Sequence, residues 1–297
     1  MKVAKKTHKL ANDFEVKRGQ SFRLKDFDPG ETRGIHSKEK ADELLHESTR
    51  ALCDLQEKLY AQDRWAILLV VQAMDAAGKD SLIKHVMTGV NPQGCEVTSF
   101  KQPSAEELNH DYLWRASRRL PERGHIGVFN RSYYEEVLVV RVHQELLSRQ
   151  HLPDELVSKK IWKERFEDIR NFEKYLTHNG IVIRKFFLNV SKEEQKRRFL
   201  DRLNEPEKNW KFSDADVHER QYWDDYMNAY EEMIQHTATP EAPWYVVPAD
   251  HKWFTHLAVS SVVIETLKDL KLDFPKVDKE RRKSLETVRE ALTKERN

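Results

Sequence analysis

Apolar residues along this chain alternate between helical and strand spacing. Over residues 37–62, Ala41, Leu44, Leu45, Leu52, Leu55, Leu59 and Tyr60 recur at helical intervals, which predicts an amphipathic helix with Ser37 as its N-cap. Short apolar runs near 65–72, 95–100, 126–130, 181–188 and 244–248 predict five strands. Helical patterns near 79–89, 105–120, 132–150, 154–178, 192–203, 214–236 and 253–270 lie between and after them. The runs 67–71 and 181–188 are wholly or largely apolar, as expected for a parallel sheet covered on both faces. The expected class is therefore α/β, three layers deep, around a mostly parallel five-stranded sheet.

The ends of the chain read differently. Residues 1–36 carry Pro29, Gly30 and Gly34 and little periodicity, so they are expected to form an arm over a core. Residues 37–272 form the main domain. Residues 273–297 are dominated by charge and are expected to be an exposed helix or a disordered end.

Composition narrows the function. With 34% charged residues and no apolar run near the roughly 18 residues of a membrane span, no membrane partner is expected. The basic N-terminus has no apolar segment behind it, so no secretory signal is expected. Cys53 and Cys95 show no metal-ligand spacing and suit a reducing cytoplasm. The thirteen histidines show none either, and none is assigned a role. A net charge of +1 argues against a general nucleic-acid binder. It conceals local clusters, Arg115, Arg118, Arg119 and Arg123, and Lys196, Arg197 and Arg198. Each alone reads as a solvated face; converging on a phosphate site they would make a cationic groove.

Such a site is written at residues 65–81. An apolar strand ends in Ala73-Met-Asp-Ala-Ala-Gly-Lys-Asp80, where Ala73 replaces the first glycine of a phosphate-binding loop and Asp80 replaces its hydroxyl residue. Backbone N–H groups of Ala76, Ala77 and Gly78, with the following helix N-terminus, would cradle phosphate oxygens, and Lys79 would reach the terminal phosphates. Asp75 and Asp80 repel phosphate, so one or both are expected to face Mg²⁺. Taken alone the pattern is weak; its place between strand and helix is what favours the loop.

A second constellation, residues 125–136, ends a short strand in Asn130 and Arg131. Asn130 holds a position where a metal-linked acid is usual, and its amide can coordinate Mg²⁺ or hydrogen-bond a metal-bound water; Arg131 can neutralise charge on a transferring phosphoryl group. Glu135 either faces the same cleft or favours a helix N-terminus. The third region, 184–213, runs from a strand into a basic helix and loop; Lys185 in the strand and Arg198, Arg202 and Lys211 beyond it are candidate substrate contacts. Such helical lids close over phosphates and exclude water. After the second strand, Phe100 and Lys101 are candidates for a base or a phosphate, against a plain turn in which Ser104 caps the next helix. Trp210, Trp223, Trp244 and Trp253 read as core.

The runs 73–80 and 129–143, together with Ser191-Lys-Glu-Glu-Gln-Lys-Arg-Arg-Phe199 and Pro206-Glu-Lys-Asn-Trp-Lys-Phe-Ser213, resemble the polyphosphate kinase 2 family over roughly residues 15–270. The resemblance implies a P-loop kinase fold with a helical lid at about 190–236. It implies transfer of a terminal phosphoryl group from inorganic polyphosphate to AMP and ADP, giving ADP and ATP, with Mg²⁺ or, in its place, Mn²⁺. By position, Asp75 resembles the family's metal-binding loop aspartate and Lys79 its phosphate-binding lysine. Asn130 with Glu135 resembles the class III branch, which uses both AMP and ADP. Arg198, Arg202 and Lys211 resemble lid residues on the phosphate chain, and a homodimer or homotetramer is implied. The rivals are an ATP-dependent nucleoside monophosphate kinase and a non-catalytic module binding polyphosphate or nucleic acid.

Overall fold

A computed structural model describes residues 10–211 and 214–295, with the backbone alone at 208, 210, 211 and 214–216. The strands are β1 (Glu15–Val16), β2 (Ala66–Ala73), β3 (Cys95–Ser99), β4 (Ile126–Asn130), β5 (Ile181–Asn189) and β6 (Trp244–Pro248). They form one six-stranded sheet in the order β1-β6-β5-β2-β4-β3. All pairings are parallel except β1 with β6. Five of these strands fall where the apolar runs predict them. The sixth corrects the expected five-stranded sheet: residues of the N-terminal arm add a two-residue antiparallel edge, too short to show any alternation.

The longer helices are α1 (Lys38–Gln62), α2 (Lys79–Val86), α3 (Ile161–His178), α4 (Lys192–Asn204), α5 (Trp223–Thr237), α6 (Lys252–Asp269) and α7 (Lys279–Lys294). Ser37 caps α1 by accepting from Lys40 N–H at 3.2 Å, and Asp63 in the left-handed region ends it. Four predicted helices are divided: 154–178 keeps a helix only from Ile161, 214–236 is interrupted by a 3₁₀ turn at Arg220–Tyr222, and two others break up further. Residues 105–120 form two short helices around the Asn109–Asp111 turn, the first closed by a capping box of Ser104 and Glu107. Residues 132–150 form 3₁₀ turns and one short α-helical turn, because Ser132 caps its own turn and the β-branched run Val137, Val139, Val140, Val142 resists a long helix.

The sheet separates two helical layers, and β5 shows how. Arg184 Nε donates to Thr266 of α6 at 3.0 Å, while the next residue, Lys185, faces Glu173 of α3 on the other side. On the first side α6 is buried on nearly every face between the sheet and α1. On the second, α3 and α5 pack together. The arm runs across the carboxyl ends of β5 and β6, where Phe27 O accepts from Asn189 Nδ2 at 2.8 Å and Pro29 O accepts from Asp250 N–H at 3.1 Å. The tail helix α7, capped by Asp278, is exposed along its length. Among the described residues no helix is long and apolar enough to cross a membrane.

Lys185 corrects an expectation. Proposed as a substrate contact, it is fully buried, with Nζ 2.6 Å from Glu173 Oε2, 3.0 Å from Tyr134 OH and 2.8 Å from Thr237 O. Strand periodicity turns it away from the cleft and into the α3–α5 layer. Removing one partner of a buried ion pair strands the other, so Lys185→Met is expected to cost about 3–5 kcal/mol of stability. Urea unfolding measures this. A loss below about 1 kcal/mol would mean the pair is not charged in the core.

Candidate active site

The phosphate loop joins β2 to α2. Ala73 remains the last paired residue of β2, opposite Leu188, so no glycine is needed there. The turn comes later, at Ala76 (φ 61°) and Gly78 (φ 110°). A side chain at Gly78 would be strained by that backbone, which lets the loop end directly in the N-terminus of α2. Gly78 is thus the loop glycine that the conformation demands.

Beneath the loop lies Arg198 of α4. Its guanidinium donates to four backbone oxygens: Ala76 O (3.0 Å), Ala77 O (2.7 Å), Ala249 O (2.6 Å) and Asp250 O (3.1 Å). Glu194 supplies the counter-charge at 2.7 Å. By tying down the loop carbonyls, Arg198 ties the loop to the turn after β6, and only 4% of its side chain is exposed. The expected substrate contact is here chiefly a loop clamp, since its donors are spent on carbonyls. Gln195 Nε2 adds a bond to Asp75 O at 2.9 Å.

Above the loop, four charged groups meet. Arg131 follows β4 in a left-handed conformation (φ 63°), its N–H bonded to Val71 O at 3.0 Å. Its guanidinium donates to Asp75 Oδ1 at 2.7 Å and to Glu135 Oε2 at 3.5 Å. Lys79 Nζ donates to Ala73 O (2.8 Å) and Met74 O (3.1 Å), with Asp75 4.0 Å away. Burial by itself would raise the Asp75 pKa, but Lys79, Arg131 and Arg202 together hold it below the ordinary carboxylate value. Burial draws the Lys79 pKa down. Glu135, the chief cause, and then Asp75 raise that of Arg131 against burial. Asn130 Nδ2 donates to Asp80 Oδ1 at 2.9 Å, leaving the amide oxygen as its acceptor end.

These groups line a cleft of about 740 Å³ that includes Asp75, Ala76, Gly78, Lys79, Asp80, Lys101, Asn130, Arg131, Arg198 and Arg202. Of the other candidates, Ala77 is buried with its carbonyl on Arg198, and Glu135 reaches the site through Arg131 rather than as a wall of the cleft. The side chain of Lys211 lies outside the described residues, as does that of Trp210. Trp223 and Trp244 are core. Arg197 is spent on Glu194 and Asp201 of its own helix.

Sequence reasoning missed Lys252, Asp201 and Ser81, which also line the cleft. Lys252 had a legible signal, since it opens the helix after β6, beyond the carboxyl end of a parallel strand. Asp201 and Ser81 had none beyond their neighbours.

A phosphate loop, a strand-end arginine and a cationic cleft at the carboxyl edge of a parallel sheet define a P-loop protein built to hold phosphates. Residues 35–275 match the family described as Polyphosphate kinase 2 (PPK2), and the chain belongs to that family. Over 259 residues it is 56% identical to a Rhodopseudomonas palustris protein named ADP-polyphosphate phosphotransferase, spanning 87% of this chain and 90% of the relative. It is 44% identical over 263 residues to the AMP/ADP-polyphosphate phosphotransferase of Meiothermus ruber, spanning 88% of this chain and 94% of that one. Its fold is similar to the crystal structure of polyphosphate kinase 2 from Arthrobacter aurescens TC1, with TM-score 0.85, 40% identity, and coverage of 94% and 96% of the two chains.

The Asp75 pairing has a pH signature. A carboxyl with a lowered folded pKa contributes stability above its ordinary value of 3.8 and loses it as pH falls through the folded value. The stability advantage of the wild type over Asp75→Asn is therefore expected to be full at neutral pH, to shrink below pH 3.8, and to vanish in stronger acid. Thermal unfolding across that range reads it. An advantage undiminished in acid would show that the carboxylate charge contributes nothing.

Proposed function

We propose that this chain transfers the terminal phosphoryl group of inorganic polyphosphate to ADP and AMP, giving ATP and ADP, with Mg²⁺ as the cation and Mn²⁺ as a substitute. The observation that carries the reading is the meeting of Lys79, Arg131 and Asp75 at one wall of an open cleft that Lys101, Arg202 and Lys252 also line. A polyanion without base or sugar needs charge and N–H donors more than shape. The names of the two relatives support the same substrates.

The residues fit a hard cation. Asp75 is held ionised, Asp80 is a second carboxylate, and the Asn130 amide oxygen is a third oxygen donor. Among the described residues no cluster of three or more His, Cys, Asp or Glu forms a complete metal cage, so substrate phosphates would complete the shell. When bound, the cation neutralises charge on the phosphate oxygens.

The chain's own groups do the rest. Lys79 exchanges its loop carbonyls for phosphate oxygens, and Arg131 turns from Asp75 toward the phosphoryl group as charge develops on it. The loop N–H groups fix the chain end for in-line attack by a nucleotide phosphate oxygen, so no side-chain nucleophile is needed. Within the expected lid at 190–236, α5 packs into the α3 layer and Arg198 of α4 clamps the loop, so closure over the phosphates would fall to the stretch between those helices.

The decisive experiment is incubation with AMP or, separately, ADP, together with polyphosphate and Mg²⁺ and without ATP, followed by nucleotide chromatography. ADP and then ATP are expected. No product from either AMP or ADP would overturn the reading, whereas ATP from ADP with AMP untouched would favour the narrower activity in the name of the 56% identical relative. Arg131→Ala is expected to lower kcat roughly 10³-fold. Glu135→Asn should weaken use of AMP more than of ADP; equal losses on both would make Glu135 structural.

A further inference from the structure

The core beside the site holds more polar groups than packing requires. Tyr133, Tyr134, Glu173, Lys185 and Thr237 are each 1% exposed or less. Both tyrosine hydroxyls donate to Glu173 Oε1, at 2.9 Å and 2.7 Å, while Lys185 takes Oε2 at 2.6 Å. The remaining lysine donors go to Tyr134 OH and Thr237 O, and Thr237 Oγ1 accepts from Trp244 Nε1 at 2.9 Å. Every charged atom in the network is engaged, yet apolar residues of similar volume would often hold a core as well.

What distinguishes the network is where it attaches. Tyr133 and Tyr134 lie two and three residues after Arg131, in the turn that also carries Glu135. Arg131 is held in a left-handed backbone by Val71 O on one side. On the other, Ser132 Oγ accepts from Tyr134 N–H at 3.1 Å and from Gln72 Nε2 at 3.4 Å. A non-glycine residue at positive φ persists only where its surroundings over-determine it. The network also reaches the end of α5 through Lys185 Nζ on Thr237 O.

We infer that the buried Lys185–Glu173 pair, acting through the hydroxyls of Tyr133 and Tyr134, is a positioning device that sets Arg131 and Glu135 against the phosphate loop and ties them to α5. None of the four touches substrate; each acts through the arginine. The inference rests on the reading above in which Arg131 meets the transferring phosphoryl group.

The test is a double-mutant cycle on the full chain. Tyr133→Phe/Tyr134→Phe keeps the ring packing and the ion pair, so it folds more readily than Lys185→Met, and circular dichroism and thermal unfolding establish that it has. With ADP and polyphosphate, its kcat is expected to fall about 10- to 100-fold while both KM values stay within about threefold. Single Phe variants are expected to fall between, and Tyr134→Phe, which loses bonds to both Glu173 and Lys185, further than Tyr133→Phe. In an Arg131→Ala background the same tyrosine changes are expected to cost nothing more. A folded double variant with wild-type kcat, or losses that multiply in the Arg131→Ala background, overturns the inference. If Arg131→Ala itself leaves kcat unchanged, the assignment of Arg131 fails first and the positioning role falls with it.

Discussion

A site made for a polyanion must hold like charges together when no polyanion is there. Lys79, Arg131, Arg198 and Arg202 converge on one cleft, and each disfavours the others. The chain meets this with counter-charges of its own: Asp75 and Glu135 on Arg131, Asp75 near Lys79, and Glu194 on Arg198. Carbonyl oxygens serve where carboxylates do not, two on Lys79 and four on Arg198. The two arrangements differ in consequence. Lys79 and Arg131 make contacts that phosphate oxygens can replace, whereas Arg198 borders the cleft with its donors already held by four backbone oxygens.

The sheet decides where these charges stand. β2 pairs with β4 on one side and β5 on the other, and the register sets Asn130 against Val71 and Leu188 against Ala73. The arginine after β4 therefore emerges beside the loop after β2. A slip of one residue would turn every side chain of a strand to the opposite layer. It would bring Lys185 out of the α3–α5 layer and set Arg184 or Phe186 in its place. The buried network, the register and the position of Arg131 are thus one constraint seen from three sides.

Much of the fold was legible because buried parallel strands must be apolar along their length. Five strands and the helices α1, α2, α4 and α6 fall close to their predicted places. Breaks came where local chemistry competed with periodicity: Ser132 and its β-branched successors dissolve a predicted helix, and the turn at Asn109 divides another. β1 escaped notice because its partner, β6, lies more than two hundred residues along the chain. In the site, Asp75, Lys79, Asn130 and Arg131 come together as the motifs suggested. Lys185 does not, since a lysine next to basic residues reads the same whether it faces solvent or a buried carboxylate.

By itself the sequence determined the family, the phosphate loop and the sign of the charge around it. Those follow from residue types at fixed spacing, and backbone geometry ties such spacing to local shape. Tertiary structure alone decided which cations face the cleft and which are consumed inside the protein. Arg197 and Arg198 are adjacent, yet one lies on the surface bonded to its own helix and the other sits under the loop on four carbonyls. The reason is physical: a cation's role depends on the acceptors within about 3 Å of it, and those acceptors come from distant parts of the chain.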